Sequence, residues 1–185
     1  MTISEVKAIQ SEIGTDPDGF WGPNSIAKCQ KFLRSLMPSP HPWPKSDQAS
    51  LTAFYGSTGD ESKLVNLPAP VHMFYEGRKI KTIRCHRKVA NSLARALIAA
   101  NAEAPEIVQI YDGCYNNRPM RGGTLPSLHA RGAAIDLDAG RNGNLVSWPV
   151  KATMPFVVIK AFAREGWLSA GAFWGRDGMH FQATL

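Results

Sequence analysis

Four prolines fall within seven residues at positions 38–44 (PSPHPWP), and no other feature of the sequence limits the fold as much. Proline has no backbone N–H and a fixed φ, so this stretch can enter neither a helix interior nor the middle of a sheet. It reads as a stiff, extended spacer. A chain of 185 residues has room for one full domain and a small module. The expected division is a helical module over 1–38, a Pro-rich linker over 39–50 and a main domain over 51–185.

Ahead of the prolines, Ile3, Val6, Ile9 and Ile13 recur at helical spacing, with Thr2 or Ser4 placed to cap and Gly14 to stop. Pro23 suits the first turn of a second helix, whose apolar stripe is Ile26, Cys29, Phe32, Leu33 and Leu36. Between them TDPDGFWG is rich in turn residues, and its Phe20 and Trp21 can plug the angle between two helices too short to be stable alone.

Past the prolines, residues 51–70 read as an irregular lead-in. VHMFYEG and RKIKTIRC read as two short strands around a glycine turn, and His86–Asn101 as a helix carrying Val89, Leu93, Leu97 and Ile98. EIVQIYDGC and IDLDA are strand candidates, and the end alternates a helix over Phe156–Glu165 with strands around FWG and MHFQ. Hairpin-sized spacers outnumber crossover-sized ones. The expected class is α+β, a small helical module joined to a domain with a mainly antiparallel sheet flanked by helices.

Hydrophobic residues make up 44% of the chain and charged ones 19%, which suits a packed core and excludes a disordered chain. No run approaches the roughly 18 apolar residues of a membrane span, and no export signal is visible, so the expectation is a protein that does not insert in membranes. Cys29, Cys85 and Cys114 are far apart without a CxxC pair, which argues for buried thiols and against a cysteine metal cage. The net charge of +6 is concentrated after residue 60, with Arg78, Lys79, Lys81, Arg84, Arg87, Lys88 and Arg95 in one acid-free window. No aromatic residues are interleaved as in a nucleic-acid site, so a solvated face is expected, with no nucleic-acid partner.

The chemistry is concentrated in Ser127-Leu128-His129-Ala130-Arg131-Gly132-Ala133-Ala134-Ile135-Asp136-Leu137-Asp138 and, some forty residues on, Asp177-Gly178-Met179-His180-Phe181. Neutral imidazoles and a carboxylate suit zinc, and a catalytic zinc takes three protein ligands with one position open. His129, Asp136 and His180 would fill those places. IDLD alternates like a strand, directing Asp136 and Asp138 to one face, one to ligate and the other to support. Asp177, three residues before His180, stands where a general base belongs. Plain alternatives remain at this point: histidines bonded within the core, Asp136 and Asp138 as turn or cap residues, and Asp177 as the start of a turn with Gly178.

Two resemblances narrow the choice. VKAIQSEIG, DGFWGPNSIAKC and QKFL resemble the small peptidoglycan-binding module of cell-wall hydrolases over about residues 3–37. SLHARGAAIDLD and WGRDGMHF resemble the two signature segments of zinc peptidases that cut peptidoglycan stem peptides, a family of D-alanyl-D-alanine carboxypeptidases, vancomycin-resistance dipeptidases and phage L-alanyl-D-glutamate endolysins. GCYNNRPMRGG looks like that family's glycine-aromatic stretch with a substrate-facing arginine.

The second resemblance implies a zinc cofactor held by His129, Asp136 and His180, with Asp177 as general base and Arg118 at the developing oxyanion. Arg121 competes for that last role. It implies Ser127 as a hydrogen-bonding partner of a substrate carboxylate or oxyanion, and Trp174 is a candidate wall of the cleft. The expected function is a modular endolysin of bacteriophage type, a monomer whose partner is peptidoglycan. It would be held in the host cytoplasm until release and then cut a stem-peptide amide, L-Ala–D-Glu before the others. The alternatives are a D-Ala-D-Ala carboxypeptidase or dipeptidase of wall recycling, and a non-catalytic wall-binding protein.

Overall fold

Thr2 opens the chain's first helix with a capping box: the Glu5 backbone N–H donates to Thr2 Oγ1 at 3.2 Å and the Thr2 N–H donates to the Glu5 carboxylate at 2.6 Å. The computed structural model describes all residues, 1–185. Helix α1 (Ile3–Glu12) is followed by α2 (Pro23–Leu36), with Pro23 in its first turn. The turn between them is built around Gln10, fully buried, whose side-chain amide donates to Asp18 Oδ1 and to the Phe20 carbonyl and accepts from the Gly19 N–H. Trp21 points inward and meets Trp148 edge-on at 5.4 Å, whereas Phe20 is 72% exposed. Of the two aromatic residues expected to plug the angle between the helices, only Trp21 packs inward, and it does so against the main core.

The proline stretch is irregular and is anchored by Trp43, whose indole N–H donates to the Glu165 carbonyl at 2.9 Å and whose ring packs on Trp167. The lead-in beyond it is more ordered than its sequence suggested. It contains α3 (Gln48–Tyr55), capped by Asp47, and β1 (Leu64–Pro68). β2 (Phe74–Tyr75) and β3 (Arg78–Lys79) form a hairpin, and β4 (Thr82–His86) pairs antiparallel with β1. α4 (Ala90–Glu103) and the short α5 (Pro105–Val108) lead into β5 (Tyr111–Gly113). The order then runs β6 (Ala134–Leu137), α6 (Ala139–Asn142), α7 (Phe156–Arg164), β7 (Leu168–Ser169), α8 (Ala170–Trp174) and β8 (His180–Gln182).

Strands β5-β6-β8-β7, in that order, make a four-stranded antiparallel sheet, and the two remaining pairs are antiparallel as well. The chain is thus α+β, as its element pattern indicates. The strand expected in EIVQIYDGC is present as β5 but shortened, its first residues belonging to α5, and the strand expected at FWG is instead helix α8. α7 packs on both α4 and α2, with Val158, Ile159 and Phe162 in the core, Trp167 buried just beyond its end, and the Phe32 ring 5.9 Å from that of Phe156.

Helices α1 and α2 form a helical hairpin, called the hairpin below, and one hydrophobic core runs through it and the larger part alike. It contains Ile9, Ile13, Cys29 and Leu33 together with Leu93, Ile135, Phe162 and Phe181. All three cysteines are free and buried within it, and burial pushes the Cys29 and Cys85 thiols up to about 12. The cationic window is spread over β3, β4 and α4 rather than along one helix face. Arg84 pairs with Glu61, Arg95 forms a fork on Glu165 at 2.8 and 2.7 Å, and Lys88 lies 4.1 Å above the Phe54 ring.

Leu33 sits at the junction of hairpin and sheet domain and is fully buried. Leu33→Ala should cost about 2–5 kcal/mol. The shared core implies one cooperative transition, shifted to lower temperature as a whole. Calorimetry checks this, and two separate transitions, only one of them shifted, would show a hairpin that unfolds by itself.

Candidate functional site

The register of β6 against β8 sets Asp136 directly across from His180. In an antiparallel pair such partners project to the same face, so a carboxylate and an imidazole meet without help from any loop. His129 reaches them from a single 3₁₀ turn, Leu128–Arg131, which Ser127 caps by accepting the His129 backbone N–H at 3.3 Å. The turn ends at Gly132 in the left-handed region (φ 65°), where a Cβ would stand 2.8 Å from the His86 nitrogen. Only glycine fits there, and it brings the chain from the turn straight into β6.

Three side-chain atoms converge. His180 Nδ1 lies 2.9 Å from Asp136 Oδ1, His129 Nε2 lies 3.2 Å from the same oxygen, and the two ring nitrogens are 3.1 Å apart. Neighbouring groups settle the tautomers. His129 Nδ1 faces the Cys114 carbonyl at 2.6 Å and therefore carries its proton there. His180 Nε2 faces Gln182 Oε1 at 3.2 Å, and Gln182 is oriented by donating its amide to Thr184 Oγ1 at 2.7 Å. Both rings are left with a lone pair aimed at a carboxylate oxygen.

Three mutually facing acceptors require a positive charge between them, from protons or from a metal ion. Asp136 is buried, which by itself would raise its carboxyl, yet the two histidines overcome this and hold it well below the usual carboxylate range. Burial likewise favours a neutral His180 ring, and the Asp136 carboxylate outweighs it and raises the ring's pKa. The spacing also suits zinc, because metal–ligand distances of about 2.0–2.1 Å in a tetrahedron separate ligands by about 3.3–3.4 Å. His129, Asp136 and His180 therefore fit a zinc ion by number, donor type, tautomer and separation.

Asp177 stands apart from this triad. It occupies the left-handed region at φ 60°, and its Oδ1 is buried without a hydrogen-bond partner. Burial pushes its carboxyl up, and the Asp136 charge adds to this against the opposing effects of His180 and Arg121. A carboxyl so placed is poised to exchange a proton. Asp138 has a different role from Asp136. Its backbone turns left-handed (φ 54°) as β6 ends, and its carboxylate bonds Arg141 at 2.7 Å and Asn142 at 2.9 Å.

A cleft of about 610 Å³ opens over the triad, lined by Arg118, Arg121, Ser127, Trp174, Arg176 and Asp177 among others. A second hollow of about 370 Å³, with Tyr75, Tyr111, Asp112 and Tyr115, shares Arg118, Arg121, His129 and Asp136 with it. Trp174 is half exposed at the lip, its ring centroid 6.5 Å from that of His180. Arg118 is half-buried and donates only to the neighbouring Pro119 carbonyl, whereas Arg121 lies close enough to Asp177 to act on its charge. Trp167 is a core residue, 1% exposed.

Several supporting groups escaped the sequence reading. Asn142 is fully buried, accepts the N–H groups of Thr153 and Met154 on its side chain, and takes the Met179 N–H on its carbonyl, so it fixes the loop between Asp177 and His180. Nothing in the local sequence marks it. Gln182, two residues after His180 in a strand, could have been found from the alternation of side chains.

Residues 121–183 match the family model described as D-alanyl-D-alanine carboxypeptidase. The matched segment includes Arg121, Ser127, His129, Asp136, Trp174, Asp177 and His180, and leaves Arg118 and the hairpin outside. No curated protein and no solved structure gives a significant match. The similarity supports a peptidase of the carboxypeptidase or endopeptidase kind acting on peptidoglycan.

The raised Asp177 pKa has a thermodynamic sign. A carboxyl raised in the fold stabilises the protein fully below its unfolded value near 3.8, and that contribution is lost as pH rises through the folded value. Metal-free Asp177→Asn should therefore melt higher than wild type at neutral pH, with the gain vanishing below about pH 3.8. Thermal melts across pH check this, and a lower melting temperature at pH 7 would show that the charged carboxylate is well solvated.

Proposed function

We propose that the chain is a zinc-dependent peptidoglycan peptidase, a lytic enzyme of the bacteriophage type, that hydrolyses a stem-peptide amide, L-Ala–D-Glu before the others. The observation that carries this is a triad of three acceptors beside a buried carboxylate, Asp177, that has no hydrogen-bond partner. A site built only to hold a structural metal has no use for such a carboxylate, which weighs against a non-catalytic wall-binding protein.

His129, Asp136 and His180 would hold the zinc, which when bound would supply Lewis-acid polarisation of a carbonyl and a water of pKa about 7. Asp177 accepts the proton of the attacking water at Oδ1 and passes it to the leaving amine. Arg118 and Arg121 face the cleft as the candidate donors to the developing oxyanion, where one preorganised donor is typically worth about 2.7–4 kcal/mol. Trp174 covers the substrate from the lip, and Ser127, besides capping its turn, lines the floor.

A D-alanyl-D-alanine carboxypeptidase is the second reading, favoured by the description of the matching family model. The two differ in the bond cut. Digested sacculi analysed by mass spectrometry should show new N-terminal D-Glu and C-terminal L-Ala. Release of free D-Ala alone would select the carboxypeptidase.

The metal assignment and the base are tested on the same samples. Wild type should bind about one zinc per chain and lose activity to a chelator. His129→Ala, Asp136→Ala and His180→Ala should lose the metal. Asp177→Asn should keep it while kcat falls about 10²- to 10⁴-fold. Asp138→Asn should do less than either change. Near wild-type turnover in Asp177→Asn would eliminate the mechanism, and a zinc-free Asp177→Asn would move that carboxylate into the metal's ligand set.

The hairpin is proposed to hold the enzyme to the wall polymer, a tether that raises the effective substrate concentration. Its outer surface offers Phe20 and Ile3, 72% and 69% exposed. Full-length Asp177→Asn should sediment with purified sacculi, and adding Phe20→Ser should weaken this several-fold. Equal sedimentation of both would remove the hairpin's outer surface from wall binding.

A further inference from the structure

Helix α8 has only five residues and would leave its last carbonyls unpaired, since a helix end has no partners of its own for them. The group that satisfies them comes from the hairpin. Gln30 of α2 donates its side-chain amide to the carbonyls of Ala172 and Phe173, at 3.4 and 3.2 Å. One turn on, the Arg34 guanidinium lies 5.0 Å above the Phe173 ring. Both contacts fall on the two residues immediately before Trp174, which overhangs the triad.

A second line from the hairpin reaches the same segment. Trp21 rests edge-on against Trp148, and the Trp148 backbone N–H donates to the Gly175 carbonyl at 3.1 Å. Gly171, at the start of α8, is so close to its surroundings that a Cβ there would stand 3.1 Å from Gly178 Cα and 3.1 Å from Trp148 Cβ. α8 thus packs directly against the Asp177–Gly178 turn, with no room for a side chain between them.

We propose that Gln30 and Arg34 are positioning residues of the catalytic cleft: the hairpin fixes α8, and through it holds Trp174 and the Asp177 turn over the triad. This rests on the peptidase reading and adds to it a role for residues far from the reacting bond. It gives the hairpin a task on small soluble substrates, apart from any hold on the wall. Near-attack geometry is sensitive on the ångström scale, so a displaced turn should be visible in turnover.

The test uses the full-length chain. Gln30→Glu is nearly isosteric and sets a carboxylate against two carbonyls, Gln30→Lys restores an N–H donor, and Arg34→Leu removes the guanidinium from the Phe173 ring at an exposed position outside the core. Ile9→Val, in the part of the core farthest in sequence from α8, controls for general loss of stability. In the metal-free protein, ¹H–¹⁵N spectra should show the Trp174 indole and the Gly175 and Gly178 amides shifted by Gln30→Glu and Arg34→Leu. Gln30→Lys should largely restore them, and Ile9→Val should leave them in place. On a soluble stem peptide, zinc-loaded Gln30→Glu should lose up to about 100-fold in kcat/KM, with recovery in Gln30→Lys.

Unshifted resonances in both Gln30→Glu and Arg34→Leu would overturn the proposal. So would an equal loss of kcat/KM in Ile9→Val at a matched melting temperature. If wild type turns over no stem peptide, the peptidase reading fails, and the spectra of the metal-free variants still decide the positioning.

Discussion

The pairing of β6 with β8 is the constraint on which the rest depends. Its register puts Asp136 opposite His180, and because side chains alternate along a strand, a slip of one residue would turn one of the two to the opposite face. Ile135 and Phe181, paired at the next position, are wholly buried on that other face and lock the register by burial. The core and the site are in this sense one device. Apolar residues on one face of two short strands determine where polar residues on the other face must meet.

Around this pair, the chain delivers each remaining group by a tight backbone feature rather than by a long element. Gly132 allows His129 to be presented one step before β6 begins, and the left-handed turn at Asp177 presents a carboxylate one step before β8. Asn142 fastens the loop between them, and the Cys114 carbonyl and Gln182 set the rings. Such an arrangement orients the lone pairs before any ligand arrives, which lowers the reorganisation required on binding.

Much of the site was legible in the sequence because its residues are polar types in two short, well-separated motifs whose resemblances are specific. His129, Asp136, His180 and Asp177 come together in the cleft, and the long helices α2, α4 and α7 follow their apolar spacing. What was not legible has a common physical cause. α5 and α8 are four and five residues long, too short for periodicity to identify, and their state is decided by neighbours distant in sequence. The groups that hold the site include a backbone carbonyl at Cys114, which no pattern of residue types can reveal, and amides such as Gln30 and Asn142, which are unremarkable until their partners are known. The prolines at 38–44 do interrupt regular structure, yet the elements on either side share one core.

The three thiols carry a consequence for the chain's tolerance of its surroundings. Disulfide exchange proceeds through the thiolate, and a thiol at about 12 holds only about one part in 10⁵ in that form at neutral pH. Burial holds the Cys114 thiol well above its ordinary range too. A protein with an odd number of cysteines would ordinarily be at risk of crosslinking on entering an oxidising milieu. Here the same packing that excludes water from the core suppresses the thiolate at all three positions and so slows exchange there.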